Sequence, residues 1–355
     1  MSTWQGLAEA HVVRLNATLH PNVHEAAIYQ QYGLTPIFCE PSTPEEIIPY
    51  VEECDALFAV SVKLPTAVIR SLKRCKVISR LGTGTDKIDV ATATEQGILV
   101  TNVPYFCVEE QADHTMMLLL ALERKLPQMA GSMIDGAWSR SKLTGLSCRR
   151  LSELTLGLVG LGNSALATAK RARAFGMRVL GTRRNPDAVR AQAAALGVEL
   201  TDLTTILREA DFVSLHLPLT DETYHLIDEA ALRMMKPTAY LINTARGAIV
   251  DEAALVQALR TGVIAGAGLD TFEGIDVFTG DERPLDHPLL TLENVILTPH
   301  VAALSTQAAQ DVARGGIENV VTILSGHWPH PDHIVNRGVV PWFTLRPYDP
   351  ALLKA

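Results

Sequence analysis

Cysteine is sparse in this chain. Cys39, Cys54, Cys75, Cys107 and Cys148 are the only five among 355 residues, and no two form a CxxC pair. An odd, widely spaced set argues against a disulfide framework, a zinc knuckle or a redox dithiol, so reduced thiols are expected. Cys107 lies in a loop after Pro104, and with no base assigned to it the expected role is structural. Basic charge is also short, with 31 Lys and Arg against 39 Asp and Glu for a formal net charge of -8. That balance gives no general attraction to nucleic acid or to an anionic membrane surface. No apolar run approaches the roughly 18 residues that a membrane span needs. Residues 1–10 show no basic segment leading into an apolar stretch, so a cytoplasmic location is expected. Internal repeats and low-complexity segments are missing too. The histidine-rich stretch GHWPHPDH from Gly326 has no regular ligand spacing, and no metal is expected.

What is present is a globular composition, 47% hydrophobic and 20% charged, in a chain long enough for two domains and the cleft between them. Short apolar runs at Thr35 to Cys39, Ala56 to Val60, Lys76 to Ser79 and Ile98 to Thr101 alternate with helix-length segments, the rhythm of a parallel sheet wrapped by helices. The segment Glu110 to Leu126 is apolar over most of its surface and predicts a helix buried between domains or in a dimer. A second alternating series predicts strands at Thr155 to Val159, Arg178 to Gly181, Phe212 to Leu215, Ala239 to Ile242, Ala267 to Leu269 and Val295 to Leu297. After His300 come a helical stretch, Ser305 to Leu324, and a Pro- and His-rich tail expected to run extended against something else.

Only the second series has a strand running straight into a Gly-x-Gly turn and a helix. Gly160 permits the tight turn, Gly162 lets backbone approach a pyrophosphate, and the following helix offers its unpaired N–H groups to that anion. Ala165 stands where the dinucleotide fingerprint admits either glycine or alanine. At the end of the next strand, where an acid would accept the ribose hydroxyls of NAD, the chain has Thr182, Arg183 and Arg184. Two guanidinium groups suit a 2′-phosphate, so NADP is expected to be preferred over NAD.

Three further segments carry chemistry: HLPLTDETYHLI from His216, INTARGAIVDEAAL from Ile242 and NVILTPHVA from Asn294. With RLGTGTDKIDV at Arg80 and TNVPYFCVEEQADHT at Thr101, they make the chain resemble the D-isomer-specific 2-hydroxyacid dehydrogenases over nearly its whole length. The resemblance implies an α/β fold of two Rossmann-like domains. Residues 108–301 would form a dinucleotide-binding domain inserted into a flavodoxin-like substrate-binding domain of residues 1–107 and 302–355. It also implies a homodimer in which the helix after Val108 contributes to the interface, and hydride transfer between a nicotinamide cofactor and a small 2-oxo or D-2-hydroxy acid.

Reducing a 2-oxo acid requires a hydride donor, a proton donor for the developing alkoxide and a cation for the carboxylate and carbonyl oxygens. In the family pattern Arg246 of TARG binds and polarises the substrate, and His300 of TPH is the acid in reduction and the base in oxidation. A carboxylate is expected to pair with this histidine and raise its pKa. The family places a glutamate five residues after the strand-end aspartate, Asp270, but that position is Ile275 here. Glu273 and Asp276 are the nearby acids; Glu273 shares a face with the missing position in an extended segment and is the expected catalytic partner. The resemblance further implies cofactor contacts from Asn163 and Ser164 at the pyrophosphate and from Leu217, Pro218 and Thr223 along the adenosine side. Thr244, Ala245 and Asp270 would lie near the nicotinamide. Backbone N–H groups of Thr83 and Gly84 in LGTGTD are expected to bind the substrate carboxylate. His114 of ADHT is expected at an interface or between domains rather than in the chemistry. The alternative function is a dinucleotide-sensing binding protein, because the same fold serves a corepressor that resembles these enzymes. A dehydrogenase of formate-like or phosphite-like donors finds no signal in the sequence. Tyr105, Phe106, Trp342 and Phe343 are expected either in the cleft or sealing domain interfaces.

Overall fold

The computed structural model describes residues 7–18, 21–275 and 286–354. The chain divides into two compact units, one of residues up to Phe106 together with those from Ser305 on, the other of the described residues from Cys107 to Leu304.

The first unit is built on five parallel strands, β1 (Val12–Leu15), β2 (Ile37–Cys39), β3 (Ala56–Ala59), β4 (Val77–Arg80) and β5 (Leu99–Thr101). Their order, β2-β1-β3-β4-β5, is that of a flavodoxin-like doubly wound sheet. β1 and β3 are buried at every position, as strands covered by helices on both faces must be. A buried ion pair lies in this core. Arg14 on β1 donates to both carboxylate oxygens of Glu25 at 3.0 Å and to Leu15 O at 2.6 Å, and Tyr29 donates to Glu25 at 3.0 Å. Buried charge survives only when its hydrogen-bonding capacity is met inside the fold.

The helix Thr306–Leu324 and the tail complete this unit. The tail is extended against β5: Ile334 bridges Thr101, Val335 N donates to Val100 O, and the buried Asn336 side chain accepts from Val100 N and donates to Ile98 O. Trp342 donates its indole N–H to Cys75 O. The surface expected for the tail is thus the edge of the first sheet.

The second unit holds seven parallel strands, β6 (Thr155–Val159), β7 (Arg178–Thr182), β8 (Val198–Leu200), β9 (Phe212–Leu215), β10 (Tyr240–Asn243), β11 (Gly266–Leu269) and β12 (Val295–Leu297). The order β12-β11-β10-β9-β6-β7-β8 is a Rossmann sheet with one added edge strand. All six strands expected from the sequence are present. The seventh, β8, is a three-residue edge strand whose single buried position, Val198, gave no periodic signal. The strand order reverses between β6 and β9, so the crevice outside their carboxyl ends is where such folds take a ligand. The long helix is Val108–Glu123, followed by Leu126–Ile134 and Trp138–Gly145, neither of which buries any residue in the chain. No helix among the described residues is long and apolar enough to cross a membrane.

Candidate active site

At the carboxyl end of β6 the chain turns at Gly160, whose φ of 92° favours glycine. A Cβ there would lie 2.5 Å from His216 O at the end of β9, while Gly160 N donates to Thr182 O at the end of β7. The turn is therefore clamped between the two strands that flank β6. Gly162 differs, since a Cβ would meet nothing within 4 Å. It is the N-cap of the helix Asn163–Ala174 and supplies no side-chain cap. Open space before an uncapped helix N-terminus suits a pyrophosphate, and the residues present fit a dinucleotide. Ala165 is fully buried, in the position that requires a small residue.

Around this turn, Arg183 donates to Leu161 O at 2.9 Å, and Arg184 lies 3.7 Å from Glu222 with both side chains largely exposed. Asp187, the nearest acid along the chain, is held by Arg190 at 2.8 Å. Thr223 accepts from Thr220 N and donates to Pro218 O, which fixes the HLP turn on which Leu217 and Pro218 stand. His216 itself was not among the expected site residues. Its ring joins Ser214 Oγ at 3.0 Å to Ser164 Oγ at 3.4 Å, and burial pushes its pKa down to about 4, so it is neutral at pH 7.

The TARG turn follows β10. Asn243, buried, accepts from Ala245 N and donates to Arg246 O, tying the two ends of the turn together. Arg246 Nη1 reaches Ala245 O at 2.8 Å, and Thr244 faces Thr115 at 3.3 Å. Gly247 abuts the Phe272–Glu273 backbone, where a Cβ would collide with Phe272 C and O. Asn243 was not among the expected site residues, and its role appears with the turn it closes.

His300 stands on the turn after β12 with φ 57°, an uncommon conformation for a residue with a side chain. Its N–H donates to Asp270 O and Thr298 O. The Asp270 carboxylate, wholly buried, accepts from Thr298 Oγ1 at 2.6 Å, Val301 N at 2.9 Å and Ala302 N at 2.9 Å. His114 Nε2 lies 2.9 Å from Thr298 Oγ1. Burial lowers the His114 pKa, against the pull of Asp270.

The two acids considered for His300 fare differently. Glu273 is engaged by His225 Nε2 at 2.9 and 3.0 Å and by the Tyr224 hydroxyl at 3.3 Å, with the Tyr224 and His225 rings stacked. Its own N–H donates to Glu252, which in turn meets His287 at 2.6 Å. The segment is not extended as expected but turns at Glu273–Gly274, with Gly274 at φ 75°, and Glu273 meets the loop after β9. Asp276 lies outside the described residues.

Thr83 and Gly84 belong to the first unit, at the end of β4. Val103 N donates to Gly82 O, Asn102 Nδ2 to Thr83 O at 2.7 Å and Arg80 Nε to Gly84 O at 2.9 Å. A trans peptide directs its N–H opposite to its C=O. Holding the carbonyls of Gly82 and Thr83 therefore turns the N–H groups of Thr83 and Gly84 the other way. Asn102 was not foreseen in this role, nor Arg80 as the residue that holds the next carbonyl, Gly84 O.

Comparison with known proteins gives consistent matches. A family model described as D-isomer specific 2-hydroxyacid dehydrogenase, NAD binding domain, matches residues 116–302. A glyoxylate reductase of Korarchaeum cryptofilum is 40% identical over 307 residues, 84% of this chain and 88% of that protein. A D-3-phosphoglycerate dehydrogenase of Methanocaldococcus jannaschii is 39% identical over 316 residues, 88% of this chain; the chain spans only 57% of that relative's length. Among solved structures, an NADPH-dependent glyoxylate/hydroxypyruvate reductase of Sinorhizobium meliloti, in complex with NADP and malonate, matches with a TM-score of 0.77 and 28% identity, covering 95% of this chain and all of that one.

Proposed function

The chain belongs to the D-isomer specific 2-hydroxyacid dehydrogenase family, and on that footing we propose that it is a homodimeric, NADP-preferring reductase of small 2-oxo acids. It is a nicotinamide-dependent oxidoreductase that moves a hydride between its cofactor and a 2-oxo or 2-hydroxy acid. The observation that carries the proposal is that Arg246 and His300 stand on turns at the carboxyl edge of the same parallel sheet whose β6 bears the Gly160–Gly162 turn.

When bound, the nicotinamide supplies the hydride. Arg246 holds the substrate carboxylate and draws charge onto the carbonyl oxygen. His300 donates a proton to that oxygen as the alkoxide develops and takes it back in oxidation. The N–H groups of Thr83 and Gly84 offer the substrate carboxylate two donors without a side chain in the way. Residues 108–301 are assigned to the cofactor and residues 1–107 with 302–355 to the substrate. Asn163 and Ser164 are assigned to the pyrophosphate, with neutral His216 orienting the Ser164 hydroxyl. Leu217, Pro218 and Thr223 serve the adenosine side, and Thr244 and Ala245 the nicotinamide side. Three donors on its carboxylate favour Asp270 as the anchor of the His300 turn over a direct contact to the nicotinamide. With Glu273 bound to His225, it is a weaker candidate for the partner of His300 than the sequence suggests.

The NADP preference rests on Thr182, Arg183 and Arg184, a strand end with two guanidinium groups and no carboxylate. The homodimer rests on Leu126, Met133, Ile134, Trp138 and Leu143 on two helices and Leu146 just after the second, all apolar and exposed. Five free cysteines, four of them buried, suit a reducing cytoplasm. Oxidation of NADPH and NADH is to be followed at 2-oxo acids including glyoxylate, hydroxypyruvate and pyruvate. A higher kcat/KM with NADPH is expected, and a marked NADH preference would overturn the cofactor assignment. No turnover of any 2-oxo acid with either cofactor would overturn the activity and favour a dinucleotide sensor.

A further inference from the structure

We propose that His114 is a positioning residue for His300, donating a hydrogen bond to Thr298 that fixes the grip of Asp270 on the turn carrying the catalytic histidine; this rests on the reading of His300 as the proton donor. The direction of the hydrogen bonds follows from proton counting. Asp270 is wholly buried and takes three donors spread over both its oxygens, Thr298 Oγ1 and Val301 N on Oδ1 and Ala302 N on Oδ2, and a carboxylate only accepts. Thr298 has a single hydroxyl proton, and at 2.6 Å from Asp270 Oδ1 that proton is committed to the carboxylate. His114 Nε2, 2.9 Å from the same Thr298 oxygen, must therefore be the donor, into a threonine lone pair. The neutral ring is fixed as the Nε2–H tautomer, and the charged ring keeps the same donor. A weaker approach of 3.5 Å from Nε2 to Asp270 Oδ1 points the same way.

What the chain of bonds holds is the backbone of His300. The Asp270 carbonyl receives His300 N–H, and its carboxylate receives the next two N–H groups, Val301 and Ala302. Three consecutive donors of a turn with a left-handed residue at its centre thus converge on one aspartate. If Thr298 rotates away, Oδ1 loses its shortest bond and the turn gains freedom at the residue that must meet the alkoxide. His114 prevents that rotation from the helix Val108–Glu123, 184 residues away in sequence. The helix approaches β11 closely because residue 268 is glycine, where a Cβ would stand 3.1 Å from Leu118 Cβ. Leu118 is one helical turn beyond His114 and shares its face. The small residue on β11 thereby places the imidazole beside Asp270, two positions further along.

The test uses the full chain with His114→Leu and His114→Gln, glyoxylate and NADPH as substrates, and amide hydrogen exchange at Val301 and Ala302. His114→Leu is expected to lower kcat about tenfold, the effect of roughly one hydrogen bond, with KM changed less than about twofold. Exchange at the two amides should accelerate by about the same factor. Glutamine places an N–H donor near the position of Nε2 and should restore both quantities. Wild-type kcat and exchange in His114→Leu would overturn the proposal. Equal losses in the leucine and glutamine variants would also overturn it, because packing rather than donation would then be responsible. His300→Asn separates the two readings: wild-type turnover in that variant refutes His300 as the acid, while the exchange rates still judge the grip on the turn.

Discussion

Replacing Asp270 by asparagine keeps the shape of the side chain but turns one acceptor into a donor. Three donors converge on the carboxylate, two on Oδ1 (Thr298 Oγ1 and Val301 N) and one on Oδ2 (Ala302 N). The less damaging orientation of an asparagine keeps its oxygen at Oδ1 and sets its NH2 against Ala302 N–H. One bond to a charged group is lost, worth about 1.5–3 kcal/mol, and the other two weaken to neutral bonds, about 0.5–1 kcal/mol each. Relief from burying a charge offsets part of this, leaving a destabilisation of about 2–4 kcal/mol. Urea denaturation of Asp270→Asn beside wild type measures it. Turnover should fall by about ten- to a hundredfold, because the His300 turn depends on the same bonds, while the KM for NADPH changes little. If Asp270 instead acts by touching the nicotinamide, the KM for cofactor should carry the effect. Stability within about 0.5 kcal/mol of wild type, the usual range for a substitution without structural consequence, together with unchanged kcat would refute the reasoning.

Two other perturbations probe the fold. Burial depresses the His216 pKa from 6.5 to about 4, so the unfolded chain binds this proton more tightly than the folded one. Its contribution is fully present above pH 6.5 and is lost as pH falls toward 4, by up to about 3 kcal/mol. Urea midpoints of His216→Gln should accordingly depend less on pH between 4.5 and 7 than those of wild type, and identical pH dependence would count against the depressed value. Glu25→Ala would leave Arg14 buried without its partner, at a cost of about 3–5 kcal/mol. A thermal melt of this variant within a degree or two of wild type, against the several degrees such a loss implies, would show that the pair is not needed.

Much of the fold was legible because its signals are local. Strands buried on both faces read as apolar runs, and the Gly160–Gly162 turn lies between a strand and a helix that are both visible in sequence. The edge strand β8 was missed because an edge position needs few apolar side chains.

The sequence by itself determined the cofactor class and nominated the two side chains proposed to react, since Gly160, Arg246 and His300 are recognisable by residue type, order and spacing. Only the tertiary structure decided what holds them. Glu273 was chosen for His300 on spacing along one extended segment, yet it meets His225 from a different loop, 48 residues away. His114 was placed by residue type at an interface or between domains, and its hydrogen bond to Thr298 beside the His300 turn is visible only in the fold. Asn243, Arg80 and Asn102 act by tying backbone carbonyls and amides that no side-chain pattern reveals. Spacing records which strand a residue follows, whereas hydrogen-bond partners depend on which strands become neighbours and on the direction of each proton.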